Sequence, residues 1–386
     1  MKALVAEAEW KPRVNYPLAA DEDRKRRALV GSQTWRNPRI GIKNVPAPAV
    51  GDDDLLIRVS YCGICGSDTH TYESDSDGYI LFSGPTKLPC VLGHEFSGEV
   101  VEVGKDVLGF VKGDIVTSES VMWCGKCLAC RSGMLNQCEH IELMGLSSNG
   151  AFADFISVNA RYCWKLNSLK ERFETKDIFT LGTLIEPIGC AYNGIFISGG
   201  GFLPGSYAIV YGAGAIGLGA VLLLRTAGAA KIIAVDVVNE RLEIAKKLGA
   251  DHVVNASSED NLEETLREIT SGSGAGIQVE AAGAAHKTMP LMQKLCAKRG
   301  KIIYLGRVDA SAHVDLNHVV SGAHAIIGSR GHSGYGIYPE VIRLLQGGRL
   351  GRAKEIVTSV FPFSRILEGF ASSVSRKDGK ILIEIT

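Results

Sequence analysis

The sequence predicts an α/β protein: a doubly wound parallel sheet accompanied by a second, β-rich domain. Three observations support this. After about Ser206, apolar β-type runs alternate with helical patterns, which is the order of a βαβ sheet. The first of those runs, Tyr207–Tyr211, leads directly into a glycine-rich turn and an apolar helix. From about Val45 to Val158 the style differs, with short runs such as Leu55–Val59 and Gly98–Val103 set apart by Gly, Pro and Asp. That style suits an irregular β barrel. The reading places a catalytic β-rich domain at 1–187, a dinucleotide-binding domain at 188–330, and a return to the first domain over 331–386. A chain of 386 residues is too long for one compact core, so two domains are the ordinary expectation.

The amino end, Met1–Trp10, carries Lys2, Glu7 and Glu9 and has no apolar core, so it does not read as a secretory signal. The charged run Asp21–Arg27 has mixed signs and is expected to be a solvated helix or loop. Lys+Arg and Asp+Glu are equal at 42 each, which gives no electrostatic reason for a nucleic-acid or anionic-membrane partner. The expected partner is a small molecule, and the expected compartment is the cytoplasm. The longest uncharged stretch, Pro187–Leu224, is interrupted by glycines and by Pro204, so it cannot form one apolar spanning helix.

Two constellations carry metal chemistry. Cys62-Gly63-Ile64-Cys65-Gly66-Ser67-Asp68-Thr69-His70, followed by Gly93-His94-Glu95, offers a thiolate, an imidazole and carboxylates. A catalytic zinc needs about three such ligands and an open position for substrate. Cys124, Cys127, Cys130 and Cys138 lie within fifteen residues. In a chain without an export signal such clustering indicates a metal rather than disulfides, and four thiolates suit a closed structural zinc. An iron–sulfur cluster is the competing metal.

Gly212-Ala213-Gly214-Ala215-Ile216-Gly217 matches the dinucleotide fingerprint in its strand–turn–helix context, which makes the sheet a Rossmann one. Gly212, Gly214, Ile216 and Gly217 are the expected contacts to the pyrophosphate. The next strand, Lys231–Val235, ends in Asp236, about 20 residues on, where a carboxylate meets the adenosine ribose. The bland alternative is that Asp236 caps the helix from Asn239. The carboxylate favours NAD over NADP, and Arg241 nearby tempers that preference.

Taken together, these pieces resemble the zinc-containing medium-chain dehydrogenase/reductase family. The resemblance rests on Cys65-Gly66-Ser67-Asp68, on Gly93-His94-Glu95-x-x-Gly98-x-Val100-x-x-x-Gly104, on the four-cysteine lobe, on Glu186-Pro187, and on the glycine fingerprint with Asp236. It implies a GroES-like barrel for the β-rich domain, two zinc ions per chain, NAD, and a homodimer or homotetramer. It also implies Cys65 and His94 as catalytic-zinc ligands, with Glu95 and Glu186 sharing the remaining role, as in the polyol and threonine branches. Zinc would lower the pKa of a bound secondary alcohol, Ser67 would take its proton, His70 would pass it on, and hydride would go to NAD. Asp68 is expected to orient His94. A nucleotide-binding zinc protein without turnover is disfavoured, because binding alone does not require Ser67 and His70.

For the substrate, the strings Gly31–Pro38, Gly78–Leu81 and Gly328–Gly334 resemble inosose and cyclitol dehydrogenases, which implies a polyhydroxylated ring. The alternatives are an acyclic polyol or threonine.

Overall fold

A computed structural model describes residues 1–307 and 311–386. The chain divides into two compact units, one of Met1–Glu186, Ser359–Ser375 and Lys380–Thr386, the other of Pro187–Thr358 and Arg376–Gly379. The passage between them falls inside the helix Thr175–Tyr192, where Pro187 cannot donate the usual backbone hydrogen bond. The sequence reading begins the return at 331, whereas in the structure residues 331–358 keep to the second unit. The reason is packing. Ile337 and Tyr338 are fully buried, and a methyl group added at Gly189 would lie 3.3 and 3.7 Å from their side chains.

In the first unit the strand Asp54–Ile64 is central. Glu95–Val103 runs antiparallel along one side. On the other, Phe155–Asn159 pairs with its first half and Lys380–Glu384 with its second. Ile115–Ser118 and Cys163–Lys165 extend the sheet beyond Glu95–Val103. Leu55, Ile57 and Val59 are all fully buried, the period of two expected of a strand with one face on a core. That core is one apolar cluster that includes Phe96, Val100, Phe152 and Phe370.

Lys2–Trp10 pairs with Trp35–Asn44, and the intervening chain forms a small subassembly. The charged run there does contain a helix, Ala20–Lys25, but it is not merely solvated. Glu22 is only 6% exposed and accepts from the Tyr16 hydroxyl at 2.9 Å and the Leu29 N–H at 2.7 Å.

The second unit holds a parallel sheet with the strand order His252–Asn255, Lys231–Asp236, Tyr207–Tyr211, Ala275–Glu280, Cys296–Tyr304, Ala325–Gly328. This is the doubly wound order, which reverses direction beside the first strand and so opens a ligand crevice at the carboxyl ends. The helices Asn239–Leu248 and Leu262–Ile269 follow the strands Lys231–Asp236 and His252–Asn255. Two strands, expected from their apolar runs at Gln278–Ala281 and Lys301–Leu305, begin earlier, at Ala275 and Cys296, which pair with each other ahead of a register shift. Among the described residues no helix is long and apolar enough to cross a membrane.

Candidate active site and metal centres

The first metal centre is built where the central strand Asp54–Ile64 gives way to the helix Gly66–Tyr72. Cys65 caps that helix in an extended conformation, and Asp68 folds back to accept its N–H at 3.0 Å. Glu95 lies opposite Gly63 in the adjacent strand, so the pairing register carries His94 and Glu95 to the same end as Cys65. The ligand atoms of Cys65, His94 and Glu95 all lie within 4.8 Å of one another. His94 and Glu95 are buried, while Cys65 is half-buried, leaving one partly open side.

Asp68 is fully buried and organises this centre. Besides the Cys65 N–H, it accepts the Gly93 N–H at 3.3 Å. Asp68 is expected to orient His94, which a hydrogen bond from the second ring N–H would do. The structure places Oδ1 at 3.6 Å from Nδ1, an electrostatic contact longer than a hydrogen bond. His94 Nδ1 is buried and makes no hydrogen bond. Burial alone would push the His94 pKa down, but Asp68 and Cys65 outweigh it and hold it well above the ordinary value. A sulfur, an imidazole and a carboxylate gathered within 4.8 Å of one another suit a bound cation. A divalent ion fits the donor set of sulfur, nitrogen and oxygen. The neighbouring Cys62 differs, because complete burial, reinforced by Asp68 and Glu95, drives its thiol far up and leaves it an inert core group.

Ser67 and His70 occupy one face of the same short helix, three residues apart. Ser67 Oγ is 3.3 Å from His94 Nε2. The carbonyl of His70 accepts the N–H groups of Leu81 and Phe82 at 2.9 and 3.0 Å, which ties the helix to the loop above it. Glu186 is 8% exposed, and its Oε1 accepts the Ser120 hydroxyl at 3.3 Å. It is absent from the tight group of three, so the structure brings Glu95 closer to Cys65 and His94 than it brings Glu186.

Lys380 went unnoticed in the sequence reading. It is 4% exposed, donates to Glu95 Oε2 and donates to the Ile64 carbonyl at 3.0 Å. Burial would lower its pKa, yet the charges of Glu95, Cys65 and Glu186 raise it above the ordinary value. Its only local signal is a charged residue placed directly before the apolar run Ile381–Ile383. Ser120 and Glu119 were also missed. Glu119, likewise buried, accepts from the indoles of Trp123 and Trp164 at 3.4 and 3.2 Å.

The second metal centre is the cysteine lobe. The sulfurs of Cys124, Cys127, Cys130 and Cys138 lie within 4.8 Å of one another, and none is in a disulfide. Cys124 Sγ accepts the N–H groups of Lys126 and Cys127, both at 3.4 Å, and these donors pull its pKa down to about 6. Cys138 Sγ accepts those of Cys124 and His140, both at 3.3 Å. Backbone donors favour the thiolate at Cys124 and Cys127, whereas burial holds the Cys130 and Cys138 thiols up, and four sulfurs in so small a space suit a cation that would draw all four into the thiolate form. Tyr162 anchors the lobe by donating to the Trp123 carbonyl at 2.6 Å.

In the second unit the glycine fingerprint forms the turn from Tyr207–Tyr211 into the helix Ala215–Thr226. A side chain at Gly217 would put its Cβ 1.8 Å from the Gly212 carbonyl oxygen, so only glycine lets the helix lie this close to the turn. Asp236 closes the neighbouring strand. Its carboxylate accepts the Ala213 N–H at 2.6 Å and those of Val237 and Val238 at 2.7 and 2.9 Å. It therefore pins the glycine turn itself, which the residue spacing alone did not indicate. Arg241 donates to the Asp378 carbonyl at 2.9 Å, and its Nη1 would lie 3.9 Å from a Cβ at Gly214. Burial lowers its pKa, Asp236 opposes that, and Arg376 adds to the lowering. Another residue missed was Glu280, which is fully buried and accepts the Gly283 and Ala284 N–H groups at 3.3 and 3.1 Å.

Two of the three unusual strings meet in the first unit. The Asn37 N–H donates to the Gly78 carbonyl at 2.8 Å, the Ile80 N–H donates to the Trp35 carbonyl at 3.1 Å, and the Arg13 guanidinium covers the Tyr79 ring at 3.9 Å. Gly328–Gly334 lies in the other unit, where Asn193 Nδ2 donates to the carbonyls of Arg330 and Gly331 at 3.1 and 2.8 Å.

Comparison with known proteins agrees with this architecture. Residues 51–168 match the alcohol dehydrogenase GroES-like domain, and residues 215–347 match the zinc-binding dehydrogenase domain. The chain is 37% identical to scyllo-inosose 3-dehydrogenase of Thermotoga maritima, over 90% of this chain and 91% of that one. It is 33% identical to L-threonine 3-dehydrogenase of Caldanaerobacter subterraneus, over 87% and 92%. A Thermotoga maritima protein solved as a candidate alcohol dehydrogenase superposes with a TM-score of 0.95 at 34% identity, over the whole of both chains. The chain belongs to the zinc-binding medium-chain dehydrogenase family, and it is an enzyme of that family's oxidoreductase kind.

Proposed function

We propose that the protein transfers a hydride between NAD and a secondary alcohol carried on a polyhydroxylated ring, a cyclitol or the corresponding inosose. The observation that carries the reading is the group Cys65, His94 and Glu95, gathered within 4.8 Å with Ser67 Oγ 3.3 Å from His94. That group suits a catalytic zinc, with Glu186 as an additional carboxylate, while the four-cysteine lobe suits a structural one. When bound there, zinc supplies Lewis acidity that eases loss of the hydroxyl proton. Ser67 accepts that proton, and His70, on the same helix face, passes it outward. Asp68 holds Cys65, Gly93 and His94 in mutual register. The turn Gly212–Gly217 receives the pyrophosphate at a helix amino end, and Asp236 faces the adenosine ribose. Its negative charge favours NAD over NADP.

The ring substrate is supported by the 37% identity to scyllo-inosose 3-dehydrogenase. The threonine reading rests on lower identity, 33%. The proposed assembly is a homodimer or homotetramer, as is usual for the family the chain resembles, and a reducing cytoplasm suits the free thiols of the cysteine lobe. The test is NAD- and NADH-coupled turnover across cyclitols, inososes, acyclic polyols and threonine. Zinc-dependent turnover of ring substrates above the others is the expected result. A preference for threonine or acyclic polyols would overturn the ring assignment and leave the dehydrogenase chemistry standing.

A further inference from the structure

We propose that Lys380 is a positioning residue for the catalytic metal: its buried ammonium holds one oxygen of Glu95, leaves the other for the ion, and cancels the surplus negative charge of the ligand set. The inference rests on reading Cys65, His94, Glu95 and Glu186 as that set.

The fold places Lys380 with little freedom. Gly63 pairs with Glu95 on one side of the central strand, and Ile64 pairs with Ile381 on the other. Lys380 therefore reaches across that strand from one edge to meet Glu95 from the opposite edge. Its ammonium is shared between Glu95 Oε2 and the carbonyl of Ile64, the residue just before Cys65. Space for this crossing exists only because residue 63 is glycine. A Cβ there would lie 2.5 Å from Glu95 Oε2 and 3.3 Å from Lys380 Cδ. An ammonium and a carboxylate this deeply buried, 4% and 1% exposed, are costly to separate, so each fixes the other.

The charge balance gives the arrangement its chemical meaning. One thiolate and two carboxylates carry one negative charge more than a divalent ion, and Lys380 supplies the missing positive charge. A carboxylate already hydrogen-bonded to an ammonium donates less electron density to a metal than a free one. Lys380 thereby keeps Glu95 a one-oxygen, weakened ligand and leaves the ion the acidity that alcohol deprotonation needs.

The test uses full-length enzyme with cobalt at the catalytic site and zinc kept in the cysteine lobe. Visible absorption and the rate of metal loss to a chelator are measured for wild type, Lys380→Met, Lys380→Arg, Glu95→Gln and the Lys380→Met/Glu95→Gln double variant. In Lys380→Met, Glu95 is free to chelate with both oxygens. Its d–d bands are expected to weaken, and metal loss is expected to slow several-fold, because the second carboxylate oxygen binds and the ammonium no longer repels the ion. Lys380→Arg should resemble wild type, and the double variant should match Glu95→Gln alone. A wild-type spectrum and release rate in Lys380→Met, or the same change when Glu95 is already glutamine, would overturn the inference. Should Lys380→Met not fold, Glu95→Gln still decides, because an unchanged cobalt spectrum there removes Glu95 from the ligand set. Failure of the underlying site reading looks different: wild-type enzyme would then show no thiolate-to-cobalt charge-transfer band from Cys65.

Discussion

At the residue scale, the candidate active site depends most on Asp68, whose one carboxylate accepts from Cys65 and Gly93 and faces the ring of His94. Replacing it with asparagine keeps the shape, but the charge that stabilises His94 is lost and only one of the two backbone N–H groups still meets an oxygen. The D68N variant is expected to bind catalytic zinc about 10- to 100-fold more weakly, as measured by competition with a chromophoric chelator. Structural zinc should stay in place, because its ligands make no contact with Asp68. The residues visible in the sequence were those whose chemistry is carried by type and spacing, such as Cys65, His94 and the four cysteines. Lys380 was not among them, since a lysine is ordinarily solvated and its partner Glu95 is 285 positions away. Glu119, Ser120 and Glu280 escaped for the same reason, as isolated polar residues whose roles come from what the fold packs around them.

At the element scale, the short strand Ile115–Ser118 is held at its start by Asp114, which accepts from the Val111 N–H at 2.9 Å, Asn167 Nδ2 at 3.0 Å and Lys165 Nζ at 2.8 Å. Burial works to raise the Asp114 pKa, but Lys165 and the hydrogen bonds overcome it and bring it below the ordinary carboxylate value. A carboxyl whose folded pKa is depressed contributes stability above its unfolded pKa and loses it as pH falls through the folded one. The D114N variant should therefore be less stable than wild type in urea at pH 7. The difference should shrink as the pH is taken below about 4, the unfolded aspartate pKa. A gap that stays constant with pH would mean the ionised form is not what matters. Elements with strong local patterns were legible: the strand Tyr207–Tyr211 has the bounds of its apolar run, and the next strand runs from Lys231 to Asp236. The early starts at Ala275 and Cys296 were not, because those residues are strand only through pairing with each other.

At the scale of the whole molecule, the two metal centres differ in chemistry and so in exchange behaviour. The centre of sulfur, nitrogen and oxygen is the harder of the two, while four sulfurs alone suit a closed coordination shell. Graded chelation, followed by metal analysis and turnover, is expected to remove one zinc per chain first and to abolish activity with it. Loss of the second zinc should coincide with unfolding of the lobe by circular dichroism. Activity that survives until the second zinc leaves would contradict the assignment of the two sites.

The sequence by itself determined the fold class, the glycine-rich turn and the candidate metal-binding residues, because each is written in local spacing. Tertiary structure decided the rest. It brought Glu95 rather than Glu186 into the tight group with Cys65 and His94, since strand register and not chain distance sets which carboxylate arrives. It kept residues 331–358 with the second unit, because Ile337 and Tyr338 bury their side chains there. It also turned Lys380 from an unremarked residue near the chain end into a buried counter-charge. That pairing exists only once three strands lie side by side in the observed register.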